Sequence, residues 1–183
     1  MQLDTRIASG VSPRNIGLTL GAVALLTLAA KTQVPFWPVP MTLQSLAVLV
    51  LAVVMGPRLA LAAILTYMAA GAAGLPVFAG TPAMGIGLAY MAGPTGGFLV
   101  GFVLATIVTG VLGQGRGMIG RALAMIAGTA LIYAAGLAWL ANFVPSSDLL
   151  AVGLMPFVPG DIVKIALGVM LVEGVNRLRS TRG

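Results

Sequence analysis

Asp161 and Lys164 stand three residues apart in the stretch PFVPGDIVKIALG. On a helix that spacing puts a carboxylate and an ammonium on one face. The carboxylate can accept from a ligand N–H, and the ammonium can donate to a carboxylate or carbonyl oxygen. A structural ion pair at the membrane rim, with Lys164 snorkelling outward, is the competing reading. Thr42 and Gln44 lie where a proline-rich segment enters an apolar run, and a glutamine amide both donates and accepts. Interhelical hydrogen bonding is the alternative role for Gln44. Trp37, Phe36, Phe78 and Tyr90 fall in Pro/Gly-rich connections, where they serve either as interfacial belt residues or as apolar pocket walls. Gly93 opens the run Gly93-Pro94-Thr95-Gly96-Gly97, which has the glycines of a phosphate loop without its lysine. An anionic ligand group at the following helix N-terminus is the chemistry that run allows.

These groups matter because the chain is otherwise so poor in charge. Residues 59–115 contain no Asp, Glu, Lys, Arg or His, a run of 57 positions. The whole sequence is 59% hydrophobic and 8% charged, with mean hydropathy +1.06. A soluble domain needs a solvated surface, whereas an ionised group at bilayer mid-depth costs a few kcal/mol or more. The chain is therefore an integral, polytopic membrane protein. It has no cysteine and no histidine, so it can form neither disulfides nor thiolate or imidazole metal sites. With four carboxylates and no phosphate-loop lysine, the sequence argues against an enzyme and against ATP hydrolysis by the chain itself.

The elements that must position these residues read as helices. The apolar runs are long and rich in Leu, Ala, Val and Gly, without the short alternating segments of a transmembrane barrel. The fold class expected is all-α, a single domain over 1–183 with six transmembrane helices and outward-facing capping loops. Approximate spans are 16–30, 43–55, 59–73, 95–112, 119–143 and 160–176. Residues 31–42, with prolines at 35, 38 and 40, make an extended or turned loop. Residues 74–94 are too apolar for a solvated linker and too broken for one uninterrupted helix. Such backbone survives near a membrane only if buried in protein or lining a cavity, so a lid or re-entrant segment is expected there. Trp37 should then sense lid closure, and Trp139, deeper in the fifth span, should respond less.

Six spans put both termini on the same side as the 2–3 and 4–5 turns. That side receives Arg6, Arg14, Arg58, Arg116, Arg121, Arg177, Arg179 and Arg182, all of the arginines, while the opposite loops have Lys31 as their only basic residue. The positive-inside rule makes the arginine side cytoplasmic. The elaborate Pro/Gly/aromatic connections then face outward, where they suit capture of an external ligand. In the first span, Gly17, Gly21 and Ala24 form a small-residue stripe, suited to packing within the bundle or to docking a partner helix.

The ordered set PVPMTLQ (38–44), GLPVF (74–78), GPTGGFLVGF (93–102) and PFVPGDIVK (156–164) resembles the BioY family, the biotin-specific S components of energy-coupling-factor (ECF) vitamin transporters. The resemblance covers nearly the whole chain. It implies a six-helix protein of the prokaryotic cell membrane that binds biotin beneath its outer loops, without a cofactor or metal. It also implies an ECF transmembrane coupling protein and two cytoplasmic ATPase subunits as partners, with no role for nucleic acid. The family pattern carries polar ligand contacts to Asp161 and Lys164 and a lid to the loop after the third span. Members often place a polar side chain just after the GLPVF-like motif. Here Ala79-Gly80-Thr81 follows, which leaves that contact to Thr81 or to backbone. The stripe of the first span resembles the surface these components dock on the coupling protein.

Biotin also suits the residues taken alone. Its ureido ring has two N–H donors for Asp161, and its thioether ring and chain suit aromatic and aliphatic walls. Lys164 suits an oxygen, either the ureido carbonyl or the carboxylate, with the ureido end favoured because the two side chains are adjacent. An S component for thiamin or riboflavin, and a membrane subunit with a structural role only, remain the alternatives.

Overall fold

The fold was analysed in a computed structural model, which describes residues 12–34 and 41–181. Trp37 and Phe36 lie outside the described residues. Helix α1 (Pro13–Lys31) starts at Ser12, whose side chain accepts from the Arg14 N–H, with Pro13 in the first turn where no N–H is needed. Strands β1 (Gln33–Val34) and β2 (Met41–Thr42) pair antiparallel, Gln33 opposite Thr42, and close the proline-rich loop at its base. Helices α2 (Gln44–Met55) and α3 (Pro57–Ala72) meet at Gly56, whose φ of 78° suits a residue without Cβ. Short α4 (Gly87–Ala92) precedes α5 (Gly96–Gly113) and α6 (Met118–Leu140). Short α7 (Leu149–Gly153) precedes the long α8 (Val158–Ser180).

The described residues are thus mostly helical, with one ribbon of two short strands. Helix α1, helix α5, helix α6 and the stretch Leu149–Leu178 are long and apolar enough to cross a membrane. Helices α2 and α3 are shorter, with 12 and 16 residues. Helix α2 is central, packed against α1, α3, α5, α6 and α8.

Three details differ from the sequence expectation. The connections 74–94 and 144–159 each contain a short helix, α4 and α7. Helix α6 stops at Leu140 rather than 143, since Pro145 disfavours helical backbone just before it. Helix α8 begins at Val158 because Pro159 is tolerated in a first turn. It persists to Ser180, through a basic segment in which Arg177 pairs with Glu173 one turn earlier.

Unlike a soluble bundle, this one is apolar on its outer face as well as in its core. On α6, Ile119, Leu123 and Ile126 face outward, while Arg121, Ala124, Met125 and Gly128 face the interior. The core is built on Leu26, Leu49, Ile64, Tyr67, Met125 and Val172. Helices α5 and α6 approach backbone to backbone. A Cβ added at Gly101 would lie 2.7 Å from the Cα of Ile132, so only glycine permits that separation.

Two ends of the bundle are distinct. At one, the α2–α3 turn meets the α5–α6 turn, with Gly56 against Gln114. Arg121 donates to Glu173 at 2.7 Å there, tying α6 to α8. Arg14, Arg58, Arg116 and Arg177 belong to the element ends on this side. The ribbon, the 74–94 connection, α7 and the start of α8 form the other end.

Candidate functional site

The second end encloses a cavity of about 360 Å³, within the range of small-molecule sites. Its wall is mainly apolar, with Phe98, Leu99 and Phe102 from α5, Ile132 and Leu140 from α6, and Phe157 just before α8. Polar groups gather on one side. Helix α8 contributes Asp161 and Lys164, the start of α2 contributes Gln44 and Ser45, and α6 contributes Thr129 and Tyr133.

Asp161 sits in the first turn of α8, where the helix dipole favours an anion. Its own N–H closes onto Phe157 O at 2.9 Å, which fixes the turn and the direction of the side chain. Lys164 Nζ donates to Asp161 Oδ1 at 3.0 Å and to Ser45 Oγ at 3.1 Å. The hydroxyl of Tyr133 donates to Asp161 Oδ2. Asp161 and Lys164 are only 9% and 8% exposed, so the pair is held in low-dielectric surroundings with matched charge. Each carboxylate oxygen retains acceptor capacity, and the ammonium has three N–H groups, of which two are used here. A ligand presenting N–H donors beside a carbonyl can therefore bind without breaking the pair.

Gln44 is 3% exposed and donates to the Tyr67 hydroxyl at 3.0 Å, which in turn donates to Val77 O at 3.0 Å. The amide thus faces the cavity and also ties α2, through α3, to the 74–94 connection. Thr42 and Tyr90 line the cavity as well. Phe78, Thr81 and Gly93 lie behind the wall instead. Phe78 stacks on Tyr90 at 5.0 Å and meets Tyr67 edge-on at 5.4 Å. Ala79, next to Phe78, lines the cavity together with Tyr90 and Pro94 of the same connection. Thr81 donates to Phe78 O at 2.7 Å, and Gly93 O accepts from Trp139 Nε1 at 2.9 Å.

That last contact corrects the placement of Trp139. It is 42% exposed at the outer end of α6, against the 74–94 connection rather than deep in the bundle. Its indole is therefore a reporter of that connection in its own right.

Tyr133, Ser45 and Thr129 were not singled out by the sequence. The Thr129 hydroxyl is buried with no partner among the described residues. Tyr133 and Thr129 are four apart in α6, a spacing that puts them on one face, but nothing in composition marks that face as the inner one.

With this geometry established, the chain can be set beside known proteins. A family model described as the BioY family matches residues 4–181. A Pyrococcus horikoshii protein named "Probable biotin transporter BioY" is 39% identical over 87% of this chain and 94% of its own length. A Thermotoga maritima "Biotin transporter BioY" is 35% identical with the same coverage, and one from Rhizobium etli is 36% identical over 90% of this chain and 94% of its own. Among solved structures, the S-component for biotin from an ECF-type ABC transporter superposes with a TM-score of 0.76. That pair is 20% identical and covers 96% of this chain and 95% of the other, which is a likeness of fold. The match across almost the full sequence and the identity to several relatives agree, and the chain belongs to the BioY family.

Proposed function

We propose that this protein is a membrane-embedded biotin-binding subunit that mediates biotin uptake, with energy supplied by a separate coupling protein and ATPase pair. One observation carries the reading: a mainly apolar cavity holds a single buried, charge-matched pair, Asp161 and Lys164, with spare acceptor and donor capacity. A cyclic urea offers two N–H groups and one carbonyl, which complements that pair, and a thioether ring and aliphatic chain suit Phe98, Phe102 and Ile132. Thr42, Gln44 and Tyr90 complete the ligand surface. Phe78, Thr81 and Gly93 act by shaping the lid over it. The names of the relatives support biotin over thiamin or riboflavin. A purified-protein binding panel of biotin, thiamin, riboflavin and folate tests the reading. Saturable binding of biotin alone is expected, and preference for another vitamin would replace it.

All six longer helices cross the membrane in this reading. Helices α2 and α3 reach about 18 and 24 Å at 1.5 Å per residue, short of a hydrocarbon core of about 30 Å. Central α2 is shielded by its neighbours, and the ribbon and lid cover the difference. Both termini face the cytoplasm, since the arginine-bearing element ends share one side. Reporter fusions after residue 183 and within 144–159 should report opposite compartments; a C-terminal reporter found outside would overturn the topology.

The docking face for the coupling protein is on α1. A Cβ added at Gly17 or Gly21 meets nothing within 4 Å, and Ala24 is exposed, so the stripe is open for close approach by another helix.

A further inference from the structure

Lys31, the last residue of α1, is the lone basic residue among the outer connections; the residue is exposed, but its ammonium turns onto the 74–94 segment. Nζ donates to Phe78 O at 2.8 Å, to Thr81 O at 2.6 Å and to Thr81 Oγ1 at 2.8 Å. All three N–H groups of the ammonium are thereby used. The acceptors bracket Ala79, one of the residues through which this segment lines the cavity. Thr81 is 8% exposed and Phe78 1%, so the carbonyl acceptors belong to largely buried residues whose backbone groups need partners away from lipid. Phe78 O also accepts from the Thr81 N–H at 3.3 Å and hydroxyl at 2.7 Å, whereas Thr81 O takes its donor from Lys31. On the opposite flank Tyr67 holds Val77 O.

We propose that Lys31 is the positioning residue that latches the 74–94 lid closed over the ligand cavity, joining it to α1. Lys31 touches no part of the cavity wall; it acts through the backbone on either side of Ala79. Its helix is also the one whose outer face is open at Gly17, Gly21 and Ala24, so displacement of α1 would be felt at the lid through this side chain. The lid assignment rests on the proposed function, but the latch itself can be tested without ligand.

The sequence has no cysteine, so Ala83→Cys gives a single spin-label site on the exposed part of the segment. In Lys31→Met the label's mobility should rise in ligand-free protein, and Trp139 emission should shift with it. Biotin dissociation should quicken about tenfold, the scale of one charged hydrogen bond, while association stays within about twofold. Lys31→Arg should restore part of both effects, which a general loss of stability would not allow. Thr81→Val removes the hydroxyl, which accepts from Lys31 and donates to Phe78 O, but leaves both carbonyl acceptors of the ammonium in place, and should move both readouts in the same direction by less. If Lys31→Met does not fold, Thr81→Val decides alone. Label mobility and dissociation unchanged in the variants that fold would overturn the latch. Failure of the parent to bind biotin would instead count against the function, and the label spectra would still decide the latch.

Discussion

Asp161→Asn should weaken biotin binding by about 1.5–3 kcal/mol, roughly tenfold to a hundredfold, the range for hydrogen bonds to a charged group. The substitution keeps the shape of the side chain and removes its charge. It also leaves the Lys164 ammonium, 8% exposed, without its countercharge, facing only neutral acceptors such as Ser45 Oγ. Removing one member of a buried ion pair costs about 3–5 kcal/mol, so stability should fall together with affinity. Lys164→Met has the mirror effect, leaving Asp161 to Tyr133. The double variant separates the two consequences. With both charges gone, the thermal unfolding temperature should recover towards that of the parent, because no uncompensated charge is buried. Biotin affinity should not recover, because the groups that meet the ureido ring are absent. Recovery of both, or normal affinity in both single variants, would make the pair structural only.

Gly101→Val should be strongly destabilising. The added Cβ alone would sit 2.7 Å from Ile132 Cα, and backbone cannot yield as a side chain does. A loss of about 3 kcal/mol is expected, the upper end for overpacking. Helices α5 and α6 both line the cavity, with Phe98 and Phe102 facing Ile132 and Tyr133, so forcing them apart should reduce biotin binding as well. Gly17→Ala is the control. Nothing lies within 4 Å of its Cβ position, and melting in detergent should be unchanged. Equal melting temperatures for Gly101→Val and the parent would show that the helix contact tolerates a wider spacing.

The difference between these two glycines was not legible in the sequence. Both sit in apolar, Gly- and Ala-rich runs, and only the packing tells which one faces a neighbouring backbone. Asp161 and Lys164 were legible because charge is so scarce in this chain that each ionised group in a span stands out. Their partners were not. Tyr133 and Ser45 are common hydroxyl residues, and the spacing that brings them to α8 is set by how α2, α6 and α8 pack. Lys31 was visible as an isolated cation, yet its acceptors are mainly backbone carbonyls 47 and 50 positions away, and carbonyls carry no sequence signature. Trp139 was placed too deep because the apolar run gives no sign of where α6 ends relative to the lid. The proline-rich loop was read as extended or turned. Its two ends do pair as a ribbon, held by the register of Gln33 with Thr42.

The central claim is that biotin occupies this cavity with its ureido ring at the Asp161–Lys164 pair. An experimental map of the protein with biotin bound tests it most directly. Density for the ligand is expected between α5, α6 and α8, its ureido nitrogens within hydrogen-bond distance of Asp161 and its ureido oxygen towards Lys164. Biotin bound elsewhere, or with its carboxylate at Lys164 and its ureido ring remote from Asp161, would contradict it.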